Sequence, residues 1–212
     1  MPKKRPRHHG QRRGTHTMTN KEEFIKLAKT HITRPGIDHL LEMMAAHDFF
    51  TAPASTRFHG SYEGGLVEHS LNVYDELYRL VVFYKIEPYP LETIAIVSLF
   101  HDLCKMDYYK IDYRNRKNEQ GKWERVPYYT CDDQFPLGHG EKSVMILQQY
   151  INLTMTEIMA INWHMGFSDI RTHEFSGINA IGGAMEKYPL VVLMHMADLA
   201  ATYFDEGRPE QP

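Results

Sequence analysis

A short stretch of the sequence, Leu99 to Lys105, combines three side chains that could serve one site. His101 and Asp102 are adjacent at the end of an apolar run, and Lys105 follows them by four and three residues. On a helix these positions lie on neighbouring turns, so their side chains can face the same space. An imidazole and a carboxylate suit a divalent cation, and an ammonium group beside them suits a phosphate. The stretch therefore predicts metal and phosphate chemistry, provided that further ligands surround it.

Further histidines and acids stand in or at the ends of predicted helices. The candidate metal ligands, in chain order, are His69, His101, Asp102, His139, His164 and Asp198. Asp198 is the clearest case, because it lies in the apolar segment Met194 to Ala201, where a carboxylate needs a cation or several donors. Helical bundles build metal centres from inward-facing side chains of this kind.

Some of these histidines also have simpler interpretations. His164 could end a helix and meet its dipole, and His139, between two glycines, could be a loop residue. His195 lies three residues before Asp198 and could be the ligand in its place, although we expect it in the core or beside the ligands. We expect the histidines outside this set to be structural or solvated: His31, His39, His47 and His173.

The elements that must position these residues are mostly helical. Apolar spacing and capping patterns, such as Thr154 with Glu157, predict helices over about 22–32, 37–47, 66–84, 91–105, from about 140, 154–163 and 188–204. The glycine-containing segment 166–183 is interpreted as a loop. We expect one domain over residues 20–206.

Residues 108–130 differ from this helical pattern and predict an inserted β-hairpin. Strand-forming residues flank turn residues at 118–121. The hairpin carries aromatic side chains and the cations Lys110, Arg114, Arg116 and Lys117. One interpretation is a solvated hairpin that packs its aromatics on the core. The other is a lid that supplies cations to a phosphate substrate, and it predicts that at least one of the four faces the metal cleft.

Composition limits the possible classes of protein. The chain has 212 residues, 42% of them hydrophobic, and a net charge of −3, so no overall charge attracts it to nucleic acids or acidic membranes. Its two cysteines, Cys104 and Cys131, make no disulfide framework and fit a reducing compartment. No apolar run approaches the roughly 18 residues of a membrane span. We therefore expect a cytoplasmic protein with no membrane partner.

The two ends of the chain have a different composition. Residues 1–17 are basic and almost free of apolar side chains, and we expect residues 1–19 to form a disordered tail. Met18 is then a plausible start, and a nucleic-acid-binding arm is the alternative. Residues 207–212 contain two prolines and are expected to be a loose tail.

Taken in order, the motifs resemble those of the HD-domain superfamily of metal-dependent phosphohydrolases. Gly64 to Val73 resembles the first-ligand motif of that family, and His101 to Lys105 resembles its name-giving motif. Gly138-His139 and Trp163 to Gly166 resemble the two extra histidines of dinuclear members, and Asp198 resembles the closing aspartate. The resemblance covers about residues 55–205 and implies an all-α bundle around a metal centre.

The resemblance also implies roles for individual residues. One divalent metal would be held by His69, His101, Asp102 and Asp198, and a second by His139 and His164, with Asp102 bridging. Mn, Fe, Mg, Ni, Co and Zn all suit such a site. Lys105 would contact a phosphate oxygen. His59, ahead of the first-ligand motif, is similar to a residue of the branch with 3′–5′ exoribonuclease-type domains, and we expect it to contact substrate.

The implied reaction is hydrolysis of a phosphoester or phosphoanhydride by metal-activated hydroxide, with Asp102 and Lys105 as the catalytic residues. The substrate class is a nucleotide, another phosphorylated small molecule or a nucleic-acid end. Two alternatives stay open. Some members of the superfamily with a similar ligand order are di-iron oxygenases, and a non-catalytic nucleotide-binding module could retain the fold. The oligomeric state is also open.

Overall fold

Helix α4 (Leu91–Phe100) lies inside the bundle and delivers the His-Asp pair. Its residues from Thr93 to Phe100 are all buried, and it packs against three other helices of the bundle. The computed structural model describes residues 18–206. The predicted tail over 207–212 and residues 1–17 of the predicted disordered tail over 1–19 therefore lie outside the described residues. The end of the latter is ordered, because Thr19 caps the first helix in a capping box with Glu22.

The described residues are mostly helical, with one inserted β-hairpin, as the sequence predicts. The helices besides α4 are α1 (Asn20–His31), α2 (Ile37–Ala46), α3 (Gly65–Tyr84), α5 (His139–Leu147), α6 (Met155–Asn162), α7 (Phe175–Lys187) and α8 (Leu190–Ala200). Short 3₁₀ turns occupy Leu103–Lys105, Gly166–Ser168 and Ile170–His173, and a π-turn follows α8 over Ala201–Asp205. None of the described helices combines the length and the apolarity needed to cross a lipid bilayer.

The helix predicted over 91–105 ends earlier, at Phe100. The Nδ1–H group of His101 donates to the carbonyl oxygen of Ser98 at 2.7 Å. In a continuing helix that carbonyl would accept the backbone N–H of Asp102. The chain instead turns at Asp102 and forms the 3₁₀ turn that ends at Lys105. This turn directs His101 and Asp102 into the interior.

A buried ion pair ties α6 to the turn between α1 and α2. Thr154 and Glu157 form the predicted capping box at the start of α6. The fully buried Glu157 carboxylate also accepts two hydrogen bonds from the Arg34 guanidinium, both at 2.7 Å, and one from Thr93. A buried carboxylate is stable only when its oxygens are satisfied in this way.

The hairpin pairs β1 (Tyr109–Lys117) with β2 (Trp123–Cys131) in antiparallel register, Tyr109 opposite Cys131. The side chain of Asn118 accepts from the backbone N–H of Lys122 and closes the turn, where Gly121 has φ +76°. The base of the hairpin contacts the loop between α2 and α3, because the Tyr109 hydroxyl donates to the Ala54 carbonyl at 3.2 Å.

The loop interpretation of segment 166–183 is wrong over the second half of the segment, because α7 begins at Phe175. Gly177 favoured the loop interpretation, but the glycine serves close packing. A Cβ atom there would lie 1.7 Å from the Arg171 carbonyl oxygen. Glycine is therefore needed at position 177 so that the start of α7 can approach the backbone of Arg171, and it does not break the helix.

Candidate metal centre

Five of the six predicted ligands converge inside the bundle, and together we call them the acceptor cluster. His69 lies on α3, His101 and Asp102 follow α4, His164 follows α6, and Asp198 lies on α8. The four residues other than Asp198 are at most 2% exposed, and the Asp198 side chain is 17% exposed. Elements that are distant in sequence thus deliver imidazole and carboxylate groups to one buried point.

Imidazole nitrogens and carboxylate oxygens face one another across the acceptor cluster. His69 Nε2 lies 3.2 Å from both His101 Nε2 and Asp198 Oδ1. Asp102 Oδ2 lies 3.4 Å from His101 Nε2 and 3.7 Å from His69 Nε2. The other carboxylate oxygen, Asp102 Oδ1, lies 3.5 Å from His164 Nε2. The two oxygens of Asp102 therefore face different histidines.

Hydrogen bonds on the outer side of the rings fix the tautomers of these histidines. His101 Nδ1 and His164 Nδ1 each lie 2.7 Å from a backbone carbonyl oxygen, that of Ser98 and that of Ile161. A carbonyl can only accept, so each Nδ1 carries the proton and donates it. In the neutral ring, Nε2 is then left with a lone pair that faces the cluster. Metal-binding histidines are held in this way.

The residues present fit a metal ion, because two buried acceptors of the acceptor cluster have no donor. Asp102 Oδ1 and His164 Nε2 are buried and have no hydrogen-bond partner. A proton on His69 Nε2 would satisfy Asp198, yet it would leave those two atoms unpaired. Buried unpaired acceptors are costly, and a cation at their centre removes the cost. A set of imidazole nitrogens and carboxylate oxygens suits first-row divalent metals.

The charges of the cluster also favour a cation. Burial raises the pKa of Asp102, but the charge of Lys105 and the nearby histidines outweigh it and hold that pKa well below its ordinary value. Burial also raises the pKa of Asp198, but the hydrogen bond with His69 outweighs it and holds that pKa below its ordinary value. Both carboxylates are therefore ionised at neutral pH and ready to bind a metal.

Lys105 lies beside the cluster and contacts Asp102 directly. Its Nζ atom is 2.6 Å from Asp102 Oδ2 and donates to the Ala54 carbonyl oxygen at 2.8 Å. Burial lowers the pKa of Lys105, but the charge of Asp102 outweighs this and raises it. Lys105 is thus a fixed ammonium group next to the candidate metal site, and its predicted phosphate contact stays a prediction.

Glu206 is a residue of the site that sequence reasoning missed. Its Oε1 atom accepts from His69 Nδ1 at 2.9 Å and from Asn72 Nδ2 at 3.0 Å. The π-turn after α8 brings the residue inward, and it ends with the backbone N–H of Glu206 bound to the Ala201 carbonyl. A carboxylate on the outer nitrogen of a ligating histidine orients the ring and increases its basicity.

His139, the sixth predicted ligand, lies next to the acceptor cluster at the start of α5. Its Nδ1 atom is 3.4 Å from Cys104 Sγ, and its ring packs against Tyr108. Burial lowers the pKa of His139, and the charge of Asp102 partly offsets the effect, which places the ring within electrostatic range of the cluster. The role of His139 as a metal ligand stays a prediction.

His195, considered as an alternative to Asp198, supports the segment that carries His164. Its Nδ1 atom lies 2.8 Å from the His164 carbonyl oxygen. Its ring lies against Gly166, which has φ +56° and where a Cβ atom would come within 2.3 Å of the imidazole. Glycine is therefore required there, and His195 both supports the His164 segment and lines the cavity beside the acceptor cluster.

The cluster opens on a cavity of about 370 Å³, whose lining includes His59, Asp102, Lys105 and Asp198. Both ring nitrogens of His59 are buried and without a hydrogen-bond partner, and the ring centroid lies 4.9 Å from that of His69. Burial is the main cause that lowers the pKa of His59 to about 4, so this ring is neutral at pH 7. It can offer one donor and one acceptor to a ligand.

The four predicted hairpin cations lie away from this cavity, among partners of the hairpin itself. Lys110 Nζ is 3.4 Å from Asp132 Oδ2. Arg114 and Lys117 lie over the rings of Tyr128 and Trp123, and Arg116 stands opposite Glu124 in the sheet register. Among the described residues that line the cavity, none belongs to the hairpin. The prediction that at least one of the four faces the metal cleft is therefore not met at this cavity. Contact of these cations with a bound substrate stays a prediction.

Comparison of the chain with protein-family models, curated proteins and solved structures found no match. The function is therefore argued from the acceptor cluster, its cavity and the motifs of the chain.

Proposed function

We propose that this protein is a metal-dependent phosphohydrolase of the HD type that cleaves a phosphoester or phosphoanhydride of a nucleotide, another phosphorylated small molecule or a nucleic-acid end. The observation that carries the proposal is the convergence of imidazole nitrogens and carboxylate oxygens, two of them without a hydrogen-bond partner, next to the ammonium group of Lys105. The order of the motifs along the chain supports it further. The free thiols of Cys104 and Cys131 fit a reducing compartment, and we place the protein in the cytoplasm.

The two oxygens of Asp102 support a site for two divalent ions. Oδ2 faces His69 and His101, and Oδ1 faces His164. We propose that His69, His101, Asp102 and Asp198 hold one ion, and that His164, with His139, holds a second across the Asp102 bridge. Bound divalent ions lower the pKa of water and neutralise charge on a phosphate group.

The other side chains at the cavity would act on the substrate. The ammonium group of Lys105 would approach a phosphate oxygen and stabilise the negative charge that grows during hydrolysis. It is held in place by Asp102 and by the Ala54 carbonyl, so little reorganisation is needed. The neutral ring of His59 would donate a hydrogen bond to a substrate oxygen, since both its nitrogens are unpartnered.

The test is hydrolysis by the full chain, supplied in turn with Mn²⁺, Mg²⁺, Co²⁺, Ni²⁺ and Fe²⁺. Substrates are aryl phosphate mono- and diesters, nucleotides, cyclic nucleotides and short oligonucleotides, with Asp102→Ala as the matched inactive control. Metal-dependent release of product by the wild type alone supports the proposal. Absence of turnover on every phosphate substrate, with metal bound, overturns it.

The same samples discriminate the alternatives. A strict requirement for iron, with oxygen uptake and no phosphate release, would identify a di-iron oxygenase, because imidazole and carboxylate ligands also suit iron. Tight nucleotide binding without any reaction would identify a non-catalytic module. The position of Lys105 beside Asp102 favours the phosphate reaction.

A further inference from the structure

The cavity is lined by charged and by large apolar side chains. Asp102, Lys105 and Asp198 form its charged part, which we call the metal side, and the polar side chains of Ser168, His195 and Thr202 also line it. Its large apolar and aromatic side chains are Phe58, Met165, Leu199 and Tyr203. Phe58, Leu199 and Tyr203 are 61%, 42% and 62% exposed. Large apolar side chains that remain this exposed beside a charged site can gain free energy when a ligand covers them.

The loop that presents Phe58 is held by local hydrogen bonds. The backbone N–H of Phe58 donates to Ser55 Oγ at 2.8 Å, and that hydroxyl donates to the His59 carbonyl oxygen at 2.8 Å. One short turn thus holds the backbone of Phe58 and His59, so that both residues line the same cavity. A fixed loop loses little conformational entropy when it binds a ligand.

Apart from the proposed metal ions, the cavity offers one cationic side chain to a substrate. Among the described residues that line it, Lys105 is the one lysine or arginine, and its ammonium group already contacts Asp102. The hairpin cations Lys110, Arg114 and Lys117 lie beside hairpin neighbours instead. The metal ions and Lys105 can neutralise one phosphate group, whereas the further phosphates of a triphosphate would find no lysine or arginine among these lining residues.

We propose that the site takes a substrate with a single phosphate group, a monoester or a diester, joined to a flat apolar group such as a nucleobase or another aromatic ring. The phosphate lies against the metal side and Lys105, and the flat group packs against Phe58, Met165 and Leu199. This inference rests on the proposed function and narrows it, since it excludes nucleoside triphosphates as the preferred substrates.

The binding test uses two phosphonates that cannot be hydrolysed and that differ only in the apolar group, phenylphosphonate and methylphosphonate. Calorimetry with the Mn²⁺-loaded full chain should give about tenfold tighter binding of phenylphosphonate, because the ring covers apolar surface. Phe58→Ala should reduce that ratio to about threefold or less while methylphosphonate binds as before. The matched control is Phe83→Ala, an aromatic side chain 75% exposed near the end of α3, which should leave the ratio unchanged.

The kinetic test compares kcat/KM for a nucleoside monophosphate and the corresponding triphosphate at equal free Mn²⁺. We expect the monophosphate to be favoured by about tenfold or more. Equal binding of the two phosphonates by the wild type, or preference for the triphosphate, overturns the inference. If phosphate esters are cleaved without these preferences, the inference alone fails. If no phosphonate binds and no ester is cleaved, the proposed function fails with it.

Discussion

The Nε2 atoms of His69 and His101 lie 3.2 Å apart in the interior of the bundle, and each ring has its Nδ1 atom bound to an oxygen on its outer side. In their neutral forms both rings present a lone pair to the same point, which is unfavourable without a positive charge between them. A proton or a metal ion can supply that charge. The further unpaired acceptors, Asp102 Oδ1 and His164 Nε2, favour the metal ion.

Competition between a proton and the metal predicts that metal affinity rises with pH. Burial lowers the pKa of His69, but hydrogen bonds to Asp198 and Glu206 outweigh it and raise the pKa to about 10. Below that value the ring is protonated in the metal-free protein, so a metal must displace the proton. Calorimetry with Co²⁺ between pH 6 and pH 8 should show about a tenfold rise in affinity per pH unit. An affinity that does not change with pH would mean that His69 is not a ligand.

Glu206 is predicted to increase metal affinity without contacting the metal, because it orients His69. Glu206→Ala should weaken binding by about 10- to 100-fold, and Glu206→Gln should weaken it less, since the amide oxygen can still accept from Nδ1. Asp205→Asn, one residue earlier and exposed, is the matched control and should bind metal like the wild type. Nitrogen NMR of the His69 ring should show a smaller share of rings with the proton on Nδ1 in Glu206→Ala than in the wild type. Unchanged affinity and an unchanged tautomer would contradict the assignment.

Substitutions of Asp102 and of Lys105 are predicted to have different effects on metal binding and on catalysis. Asp102→Ala should abolish both turnover and the rise in Tm that metal gives the wild type, because its two oxygens face both groups of ligands. Lys105→Ala should retain metal and lose rate by about 10², as when one charge-stabilising donor is removed. Metal content and single-turnover rates measure the two effects. Equal loss of metal in both variants would make Lys105 a structural partner of Asp102.

The Glu157–Arg34 pair is predicted to make stability depend on acid pH. Burial raises the pKa of Glu157, but the hydrogen bonds from Arg34 and other donors outweigh it and hold the pKa below its ordinary value of 4.5. The pair therefore stabilises the fold above that ordinary value, and the contribution is lost as pH falls through the lower folded-state pKa. In urea unfolding at pH 7, Glu157→Gln should cost about 3 kcal/mol, and the difference should shrink toward pH 3. Glu186→Gln, on the exposed part of α7, should cost little at either pH. An equal loss at both pH values for Glu157→Gln would contradict the argument.

Much of the fold could be predicted from local pattern. The Thr154–Glu157 capping box and the turn residues at 118–121 determine structure only in the few residues around them. The start of α6 and the hairpin turn both lie where these residues predict them. The convergence of His69, His101 and Asp198 was expected from polar residues in apolar sequence, because such residues must find partners inside the bundle.

Contacts that form only in the folded chain explain what the sequence could not predict. Glu206 binds His69 across 137 positions, and its inward direction depends on a π-turn that no local pattern indicates. The start of α7 was missed because Gly177 is required by the Arg171 carbonyl, which lies close to it only in the folded chain. Helix α4 ends at Phe100 because the side chain of His101 donates a hydrogen bond to the Ser98 carbonyl, which would otherwise accept the next backbone N–H of the helix.

The central claim, that the acceptor cluster holds a divalent metal, is tested most directly by anomalous X-ray diffraction from crystals of the full chain grown with Mn²⁺. We predict a strong anomalous peak within bonding distance of His69 Nε2, His101 Nε2 and the carboxylates of Asp102 and Asp198, and its loss in Asp102→Ala crystals. A wild-type map with no anomalous peak at the cluster, in which water molecules bridge the side chains of His69, His101 and Asp102, would contradict the claim.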